Sequence, residues 1–328
     1  MQWRQYLGSG LAFWALAAPA WAQVSPPTHP EQSETSAVPV ESAGHPTYTC
    51  AETLRISFGI HPDPYKREWT PLCFGTFLSE GWCDPFIGPP NGPGGSLRQG
   101  WIGVPDAFFN RMIVGVYNTT RGANGNPNEQ VGAAIYETPI TRRYMFGVVV
   151  PFVDNLQGPG RTSATTFGDV TIENRFLLHE TADLTVSLNL NVRVPTGGSS
   201  TGNSRTVLDP YLAFYKDLWC GWSVRGAAGA LVPVDNVAGQ RDPTLTLSLA
   251  IGQTITPHDV PLVGDFTYYV STNYQQDLGN GSNAFVSFTP GIRTHLGKDF
   301  YFLAGIEVPV TDPVPFHNRF TFVLVKGF

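Results

Sequence analysis

The chain has few charged residues for its length, and it lacks a long apolar run. Charged residues make up 14% of the 328 positions, whereas a soluble domain usually carries about a quarter. Much of the surface is therefore kept free of charge, which favours contact with lipid. No stretch after residue 22 approaches the roughly 18 consecutive apolar residues that a membrane helix needs. A mature chain that spans a bilayer must therefore do so with strands.

Basic clusters and metal-binding patterns are also missing. The net charge is -6, and the Lys and Arg residues are scattered, which excludes a nucleic-acid partner. There is no C-x-x-C pair and no histidine at ligand spacing, so we expect no metal and no cofactor. The four cysteines favour disulfides if the chain is exported. Cys73 and Cys83 can close a small loop and leave Cys50 with Cys220, although the sequence leaves all three pairings open.

The first 22 residues have the pattern of a secretory signal peptide. Arg4 precedes an apolar run over residues 11–16, and Ala20-Trp21-Ala22 matches an A-x-A cleavage site. We therefore expect a cleaved signal peptide over residues 1–22 and a mature chain that begins near Gln23.

Two further segments precede the regular part of the chain. Residues 23–47 are rich in Pro, Ser, Thr and Glu, which predicts a disordered leader. Residues 48–110 are dense in Trp and Phe but interrupted by Gly and Pro, which predicts an ordered, irregular segment with one short strand at 54–58. This segment can plug the mouth of a barrel, or it can lie on the periplasmic rim, where Trp and Tyr suit the interface. A bond between Cys50 and Cys220 would favour the rim.

From residue 111 onward apolar and polar residues alternate with a period of two. In the clearest case Leu184, Val186, Leu188 and Leu190 share one face with Val192 and Val194, and polar residues occupy the other face. Twelve such segments are long enough to cross a bilayer at a tilt. They cover residues 111–118, 131–138, 142–152, 167–179, 183–195, 206–216, 219–233, 243–256, 260–274, 283–296, 300–310 and 316–328.

The links between these segments alternate between long polar ones and short ones. Long outer loops and short periplasmic turns are typical of outer-membrane barrels. A soluble β-sandwich or β-helix is the alternative, but sandwich strands are usually about half as long. We therefore predict an all-β fold over residues 111–328, a closed antiparallel transmembrane barrel of about 12 strands in outer-membrane lipid. The terminal aromatic strand, which ends at Phe328, is of the type that barrel-assembly machinery recognises.

Three short motifs resemble a known family. Residues 167–171 (FGDVT) enter the fourth strand, residues 194–197 (VPTG) leave the fifth, and residues 209–211 (DPY) lie in the sixth. Together they resemble the outer-membrane family named for the putative MetA pathway of phenol degradation. The resemblance implies a barrel of this size that passes small, often aromatic or hydrophobic, compounds across the outer membrane.

The alternation also assigns side chains to the barrel lumen. If the apolar faces meet lipid, six arginines, four carboxylates and a tyrosine are lumen candidates. A ring of fixed charges can select permeants by sign, or the opposite charges can pair and fill the barrel. The excess of arginine predicts a weak preference for anions. The candidates are Arg143, Glu173, Arg175, Arg193, Asp209, Tyr211, Arg225, Asp265, Arg293, Glu307 and Arg319.

Three functions from different classes follow from this barrel. The first is a channel or facilitated-diffusion porin for a small molecule, and the second is a structural or surface-interaction barrel with a closed lumen. The third is a lipid hydrolase, which needs a nucleophile beside a base. Its candidate bases His179, His258 and His295 fall at short links, whereas Ser199 and Ser200 fall in a long outer loop. We therefore expect no enzymatic activity.

Overall fold

The structure, a computed structural model, describes the chain from residue 48 onward with short gaps. The described residues are 48–58, 60, 63, 68–123, 128–157, 164–197, 205–234, 242–279, 284–312 and 314–328. The expected signal peptide (1–22) and leader (23–47) lie outside these residues. The side chains of residues 153–157 and 164–166 are likewise outside the description.

Thirteen strands form a single antiparallel sheet that closes on itself. The short strand β4 and the longer β5 pair with successive stretches of β3, so together they fill one of twelve positions around the barrel. Each of the twelve strands predicted from the alternation corresponds to one position. The strands are β1 Met112–Gly122, β2 Asn128–Pro139, β3 Tyr144–Gln157, β4 Ala164–Thr166, β5 Val170–Glu180, β6 Leu184–Val194, β7 Val207–Asp217, β8 Trp222–Pro233, β9 Thr244–Thr254, β10 Gly264–Asp277, β11 Ala284–Gly297, β12 Phe300–Pro309 and β13 Phe316–Gly327.

The barrel closes between its first and last strands. Met112 of β1 is the partner of Gly327 of β13, and the pairing runs along both strands. Just beyond it, the backbone N–H of Phe328 donates to the carbonyl oxygen of Arg111 at 3.2 Å. Closure pairs the edges of the first and last strands, whose backbone groups would otherwise be unpaired in lipid. The prediction of a closed twelve-stranded barrel is confirmed.

The two faces of each strand have opposite character. In β6, Thr185 and Ser187 are fully buried on the inner face, whereas Leu190 on the outer face is exposed. In β9, Leu249 and Ile251 are likewise exposed on the outer face. The outward apolar residues thus form the lipid-facing surface of a barrel, and the inward polar residues line its lumen. No helix among the described residues is both long and apolar enough to cross a membrane.

The first regular element is a helix, α1 (Cys50–Ser57), where the alternation of apolar residues at 54–58 predicts a strand. That prediction is wrong because a local signal overrides the alternation. The side chain of Thr49 accepts from the backbone of Glu52, and the Glu52 carboxylate accepts from the Thr49 backbone N–H at 2.8 Å. This capping box fixes a helix N-terminus.

Helix α1 packs on the barrel through its polar side. Thr53 and Ser57, four residues apart, are buried, while Leu54 and Phe58 are exposed. The Ser57 hydroxyl donates to the carbonyl oxygen of Ile140, in the link between β2 and β3, at 2.5 Å. The first part of the N-terminal segment is therefore attached to the end of the barrel that carries the short links.

Residues 68–98 continue across the same end. Leu72 exchanges backbone hydrogen bonds with Glu180, the last residue of β5. Farther along, the N–H of Gly221, in the link between β7 and β8, donates to the carbonyl oxygen of Gly94 at 2.7 Å. This part of the segment follows the short-link rim from one hairpin to the next.

Candidate permeation pathway

Residues 99–109, which we call the inward loop, leave the rim and enter the lumen. The loop makes a tight reversal in which Trp101 and Val104 form a β-bridge. Its tip contacts β10: the N–H of Ile102 donates to the Tyr269 hydroxyl at 2.9 Å, and the Ser271 hydroxyl donates to the Ile102 carbonyl oxygen at 2.8 Å. Ser271 is fully buried in the middle of β10. The loop therefore reaches well into the barrel.

Glycine is required at the tip of the inward loop. Gly103 has φ +84°, and a Cβ at this position would lie 3.1 Å from the Cβ of Ser271 and 3.2 Å from the hydroxyl oxygen of Thr289. A residue with a side chain would be strained both by the left-handed backbone and by the barrel wall. Gly103 thus sets how close the tip approaches β10 and β11.

Aromatic residues hold the two sides of the inward loop. Trp101 stacks on Tyr269 with ring centroids 4.9 Å apart and planes within 2°. Phe108 is fully buried and meets Tyr215 edge to face at 5.6 Å. Each such ring pair contributes about 0.5–1.5 kcal/mol of stabilisation beyond that from the apolar area it buries. The loop is a packed element of the lumen.

Arg225 lies between these two aromatic contacts. It donates to the carbonyl oxygens of Gln99 and Leu97, the latter at 3.2 Å. Its guanidinium lies 3.8 Å from the centroid of the Trp101 ring and 3.5 Å from a carboxylate oxygen of Asp106. Every one of these partners belongs to the N-terminal segment. Arg225 therefore anchors the inward loop to β8.

Arg175 and its neighbours fix the return of the loop. Arg175 donates to the carbonyl oxygen of Phe108 at 2.7 Å, to the side chain of Asn189 at 2.8 Å and to the carboxylate of Glu137 at 3.3 Å. Asp106 and Glu137 supply the negative charges that pair with Arg225 and Arg175 in this buried network. Opposite charges that are paired in this way are tolerated in a low-dielectric interior.

Arg143 lies at the rim, in the link between β2 and β3. It donates to the carbonyl oxygens of Glu80 at 2.9 Å and Cys73 at 3.1 Å, and to the Thr76 hydroxyl at 3.0 Å. Three of the six arginines assigned to the lumen thus bind the N-terminal segment. Arg175 and Arg225 also pair with the carboxylates of Glu137 and Asp106, so these arginines combine charge pairing with anchoring of the segment.

The remaining lumen candidates are distributed along the barrel. Arg319 pairs with Glu307 at 3.1 Å, which is the pairing between opposite charges that fills a lumen. Asp265 accepts from Gln99 at 3.3 Å near the short-link end, and Arg293 lies over the Tyr301 ring at 4.1 Å. Glu173, Asp209 and Tyr211 line the cavity beside the inward loop. Arg193 lies on β6, two residues beyond Asn191.

A cavity of about 1260 Å³ remains beside the inward loop. It extends from Phe328 at the short-link end to Asn118 on β1. One side, which we call the apolar wall, is formed by the short-link halves of β1, β12 and β13, whose other halves add Asn118, Glu307, Arg319 and Thr321 to the lining. The other side, the polar wall, is formed by β2, β5, β6 and β7. The apolar wall consists of Met112, Val114, Val116, Leu303, Val323 and Val325, and the polar wall of Glu137, Glu173, Arg175, Asn191, Asp209 and Tyr211.

The charge of the cavity lining differs from the sequence expectation. Five arginines and seven carboxylates line it among the described residues. The expected excess of arginine is absent from the lining: Arg143 and Arg225 bind the N-terminal segment, while Asp106 and Glu137, which are not among the lumen candidates, line the cavity. The lining therefore has an excess of formal negative charge, opposite to the arginine excess on which the expected anion preference rests.

The sequence pattern did not predict two groups of residues that line the cavity. Glu137 lies in β2 on the same face as Ala133 and Ile135, and the alternation rule assigns this largely apolar face to lipid, although the structure places Glu137 in the cavity lining. The apolar wall was hidden because β1 carries apolar residues on both faces: Val114 is buried while Ile113 next to it is exposed. An alternation rule that sends apolar residues to lipid cannot detect such a wall.

The four cysteines are unbonded in the structure. The sulfur atoms that lie close together belong to Cys50 and Cys83, 2.9 Å apart. The sequence leaves three pairings open, among them Cys73 with Cys83 and Cys50 with Cys220. The structure instead brings together two residues of the rim segment, because α1 packs against the backbone of Cys83 through the Thr53 hydroxyl.

The closed barrel, its apolar outer surface and its occupied lumen define a β-barrel of the outer-membrane class. Within this class, the chain belongs to the family described as Putative MetA-pathway of phenol degradation, whose model matches residues 115–315. The family resemblance read from the sequence motifs is thereby confirmed. A comparison with curated protein sequences finds no match.

Solved structures of outer-membrane proteins resemble the chain at low sequence identity. An outer membrane channel from Pseudomonas putida F1 is 14% identical, and the match covers 68% of this chain and 97% of that one, with a TM-score of 0.54. The KdgM porin is 10% identical over 66% and 99% of the two chains, with a TM-score of 0.46. The outer membrane phospholipase A of Escherichia coli is 13% identical over 66% and 96%, with a TM-score of 0.36. The likeness to the Pseudomonas putida channel is one of fold.

Proposed function

We propose that this chain is an outer-membrane channel that lets small solutes diffuse through the cavity between the inward loop and the seam strands β1, β12 and β13. The cavity beside the loop is the observation that carries the proposal. Its volume of about 1260 Å³ exceeds that of a drug-sized ligand site. A structural barrel with a closed lumen has no need of such a space.

The two walls favour solutes that are partly apolar. A small aromatic or otherwise hydrophobic compound can lay its apolar side along Val114, Val116 and Val323 while its polar group faces Glu173 and Asp209 across the cavity. Burial of apolar surface stabilises such a solute by about 25 cal/mol per Å². A sugar of equal size gains less from the apolar wall, so we propose aromatic or hydrophobic compounds as the preferred permeants.

A pair of adjacent substitutions tests this pathway. Val116→Trp adds a large ring to the apolar wall, whereas Tyr117→Trp places the same ring on the lipid-facing surface, where Tyr117 is exposed. The purified full chain is reconstituted into liposomes, and the uptake of a labelled aromatic solute is compared with that of a sugar of equal size. We expect Val116→Trp to reduce aromatic uptake at least several-fold and Tyr117→Trp to leave it unchanged.

Two results would contradict the proposal. If the folded wild-type chain passes neither solute and shows no steps of conductance in a planar bilayer, the lumen is closed and the structural role gains support. If both tryptophan variants pass the aromatic solute as the wild type does, the route does not follow the apolar wall. Folding of every variant is checked by the shift in electrophoretic mobility on heating.

We also propose how the chain reaches its membrane. Residues 1–22 act as a cleaved signal peptide, and the barrel-assembly machinery recognises the strand that ends at Phe328. An oxidising compartment then favours a disulfide between Cys50 and Cys83. Mass spectrometry of peptides from non-reduced protein tests the disulfide: a crosslink between Cys73 and Cys83 would overturn this pairing.

A further inference from the structure

Two histidines and an aspartate converge at the short-link end of the barrel. His258 lies in the link between β9 and β10, Asp265 lies at the start of β10, and His295 lies near the end of β11. One ligand atom from each lies within 4.8 Å of the other two. All three face one another at the mouth of the lumen, and His258 and Asp265 line the cavity itself.

The strand register creates this cluster from residues far apart in the sequence. Gly264 pairs with His295 across the β10–β11 ladder, and the register shifts between Gly264 and Thr267. Asp265 lies within this irregularity with φ +50°, a backbone conformation that is uncommon for residues other than glycine. Irregularities of this kind re-aim a side chain. Here the carboxylate is turned to His258, with 2.6 Å between Oδ2 and Nδ1.

His295 has the environment of a ligand. It is 8% exposed, and its Nδ1 lies 3.2 Å from the carbonyl oxygen of His258. Its buried Nε2 has no hydrogen-bond partner among the described residues. A histidine that donates from Nδ1 to a backbone carbonyl keeps an unshared electron pair on Nε2, which is the arrangement that orients metal-binding histidines.

The Asp265 carboxylate is likewise held by a hydrogen bond from outside the cluster. Asp265 is buried, and the side-chain amide of Gln99 donates to its Oδ2 at 3.3 Å. Ligating carboxylates are typically held by such hydrogen bonds. Gln99 is the first residue of the inward loop, so this hydrogen bond connects the loop to a cluster drawn from the β9–β10 link, β10 and β11.

We propose that His258, Asp265 and His295 bind a divalent transition-metal ion of the zinc type. Two imidazoles and one carboxylate match the preference of Zn²⁺ for nitrogen and oxygen ligands, and three protein ligands leave a fourth position open toward the cavity. Tetrahedral ligands at about 2.1 Å from the metal lie roughly 3.4 Å apart. To reach this spacing, the 2.6 Å contact between His258 and Asp265 must lengthen and the wider separations, now up to 4.8 Å, must shorten, which requires the His258 side chain to rotate.

His258 has the freedom to make that rotation. Its side chain is 59% exposed, and its ring lies on the His295 ring with centroids 4.2 Å apart. Arg293 is buried on the same strand, two residues before His295. Its positive charge opposes the binding of a metal ion at the cluster. Arg293 faces the Tyr301 ring. We therefore expect weaker binding than in a structural zinc site.

Competition with a chromophoric chelator measures the binding directly. The full chain is purified in detergent, stripped of metal and titrated with Zn²⁺, and Co²⁺ replaces Zn²⁺ for absorption spectra. We expect one equivalent of Zn²⁺ and visible Co²⁺ bands of tetrahedral or five-coordinate type. His258→Ala should weaken binding at least 10-fold, and His258→Ala with His295→Ala should abolish it. The matched control His317→Ala removes a histidine at the opposite end of the barrel.

Each outcome decides the proposal. Loss of the bound equivalent in the double variant, with the control unchanged, supports the site. Absence of binding by the folded wild-type chain overturns it, as does an unchanged affinity in the double variant. Because His258 is exposed, its single substitution tests the site even if His295→Ala disturbs the barrel. The measurement does not depend on solute flux, so it stands whether or not the chain is a channel.

Discussion

Replacement of Arg225 by methionine should release the inward loop while the barrel stays folded. The substitution keeps the length of the side chain and removes the guanidinium that contacts Gln99, Leu97, Asp106 and Trp101. It leaves two carbonyl oxygens and one carboxylate without their donor inside the lumen. The barrel ladder is unaffected because the Arg225 backbone keeps its β-strand partners.

The size of the effect follows from these contacts. Removing one partner of a buried charge pair costs about 3–5 kcal/mol, and a desolvated cation–π contact is worth about 2 kcal/mol. Water can enter the adjacent cavity and hydrate the stranded groups, so we take about 3 kcal/mol as the loss. A change of this size shifts the equilibrium between docked and released loop roughly 150-fold toward release.

Hydrogen–deuterium exchange of the full chain in detergent measures this shift. Peptides that cover residues 99–109 should lose protection by about two orders of magnitude, while peptides from β6 should exchange as in the wild type. Arg319→Met is the matched control, because Arg319 pairs with Glu307 and the Thr120 hydroxyl of the barrel wall rather than with the loop. If exchange at residues 99–109 differs less than threefold between wild type and Arg225→Met, Arg225 does not hold the loop.

Three further predictions concern the loop, the helix and the cavity. Gly103→Ala should destabilise the docked loop by about 1–2 kcal/mol through the left-handed backbone and contact with Ser271 and Thr289, and it should raise exchange at the loop tip; unchanged exchange would refute the tight fit. Thr49→Ala should cost α1 about 1 kcal/mol by removing the capping box with Glu52, seen as faster exchange in residues 50–57 alone. The cavity lining should make the channel weakly cation-selective, and a reversal potential in a KCl gradient that indicates chloride preference would contradict the charge count.

The strand pattern was predictable because lipid and a polar lumen impose opposite demands on adjacent residues. In β6 the leucines and valines meet lipid and the polar residues between them are buried, so the alternation determines both strand and face. β1 followed the pattern less clearly, because Val114 and Val116 form the apolar wall while Ile113 meets lipid. Its position as a strand was readable, but the character of its inner face was not.

The N-terminal segment was the part that the sequence did not reveal in detail. Its Trp and Phe residues indicated an ordered region, but the contacts that order it are long-range: Arg225 meets Leu97 across 128 positions, and Ser271 meets Ile102 across 169. No local periodicity reports such contacts. The helix α1 was obscured for a different reason, because its capping signal competes with an alternation that resembles a strand.

The apolar wall has an origin that bears on how the protein is made. Val114 and Val325 are partners across the seam, as are Val116 and Val323, so the wall joins residues translated at opposite ends of the barrel sequence. A chain that stops before β13 lacks Val323 and Val325, two of the six residues of the apolar wall, as well as the strand that closes the barrel. On the proposed function, synthesis of β13 is therefore a condition for the solute pathway as well as for closure.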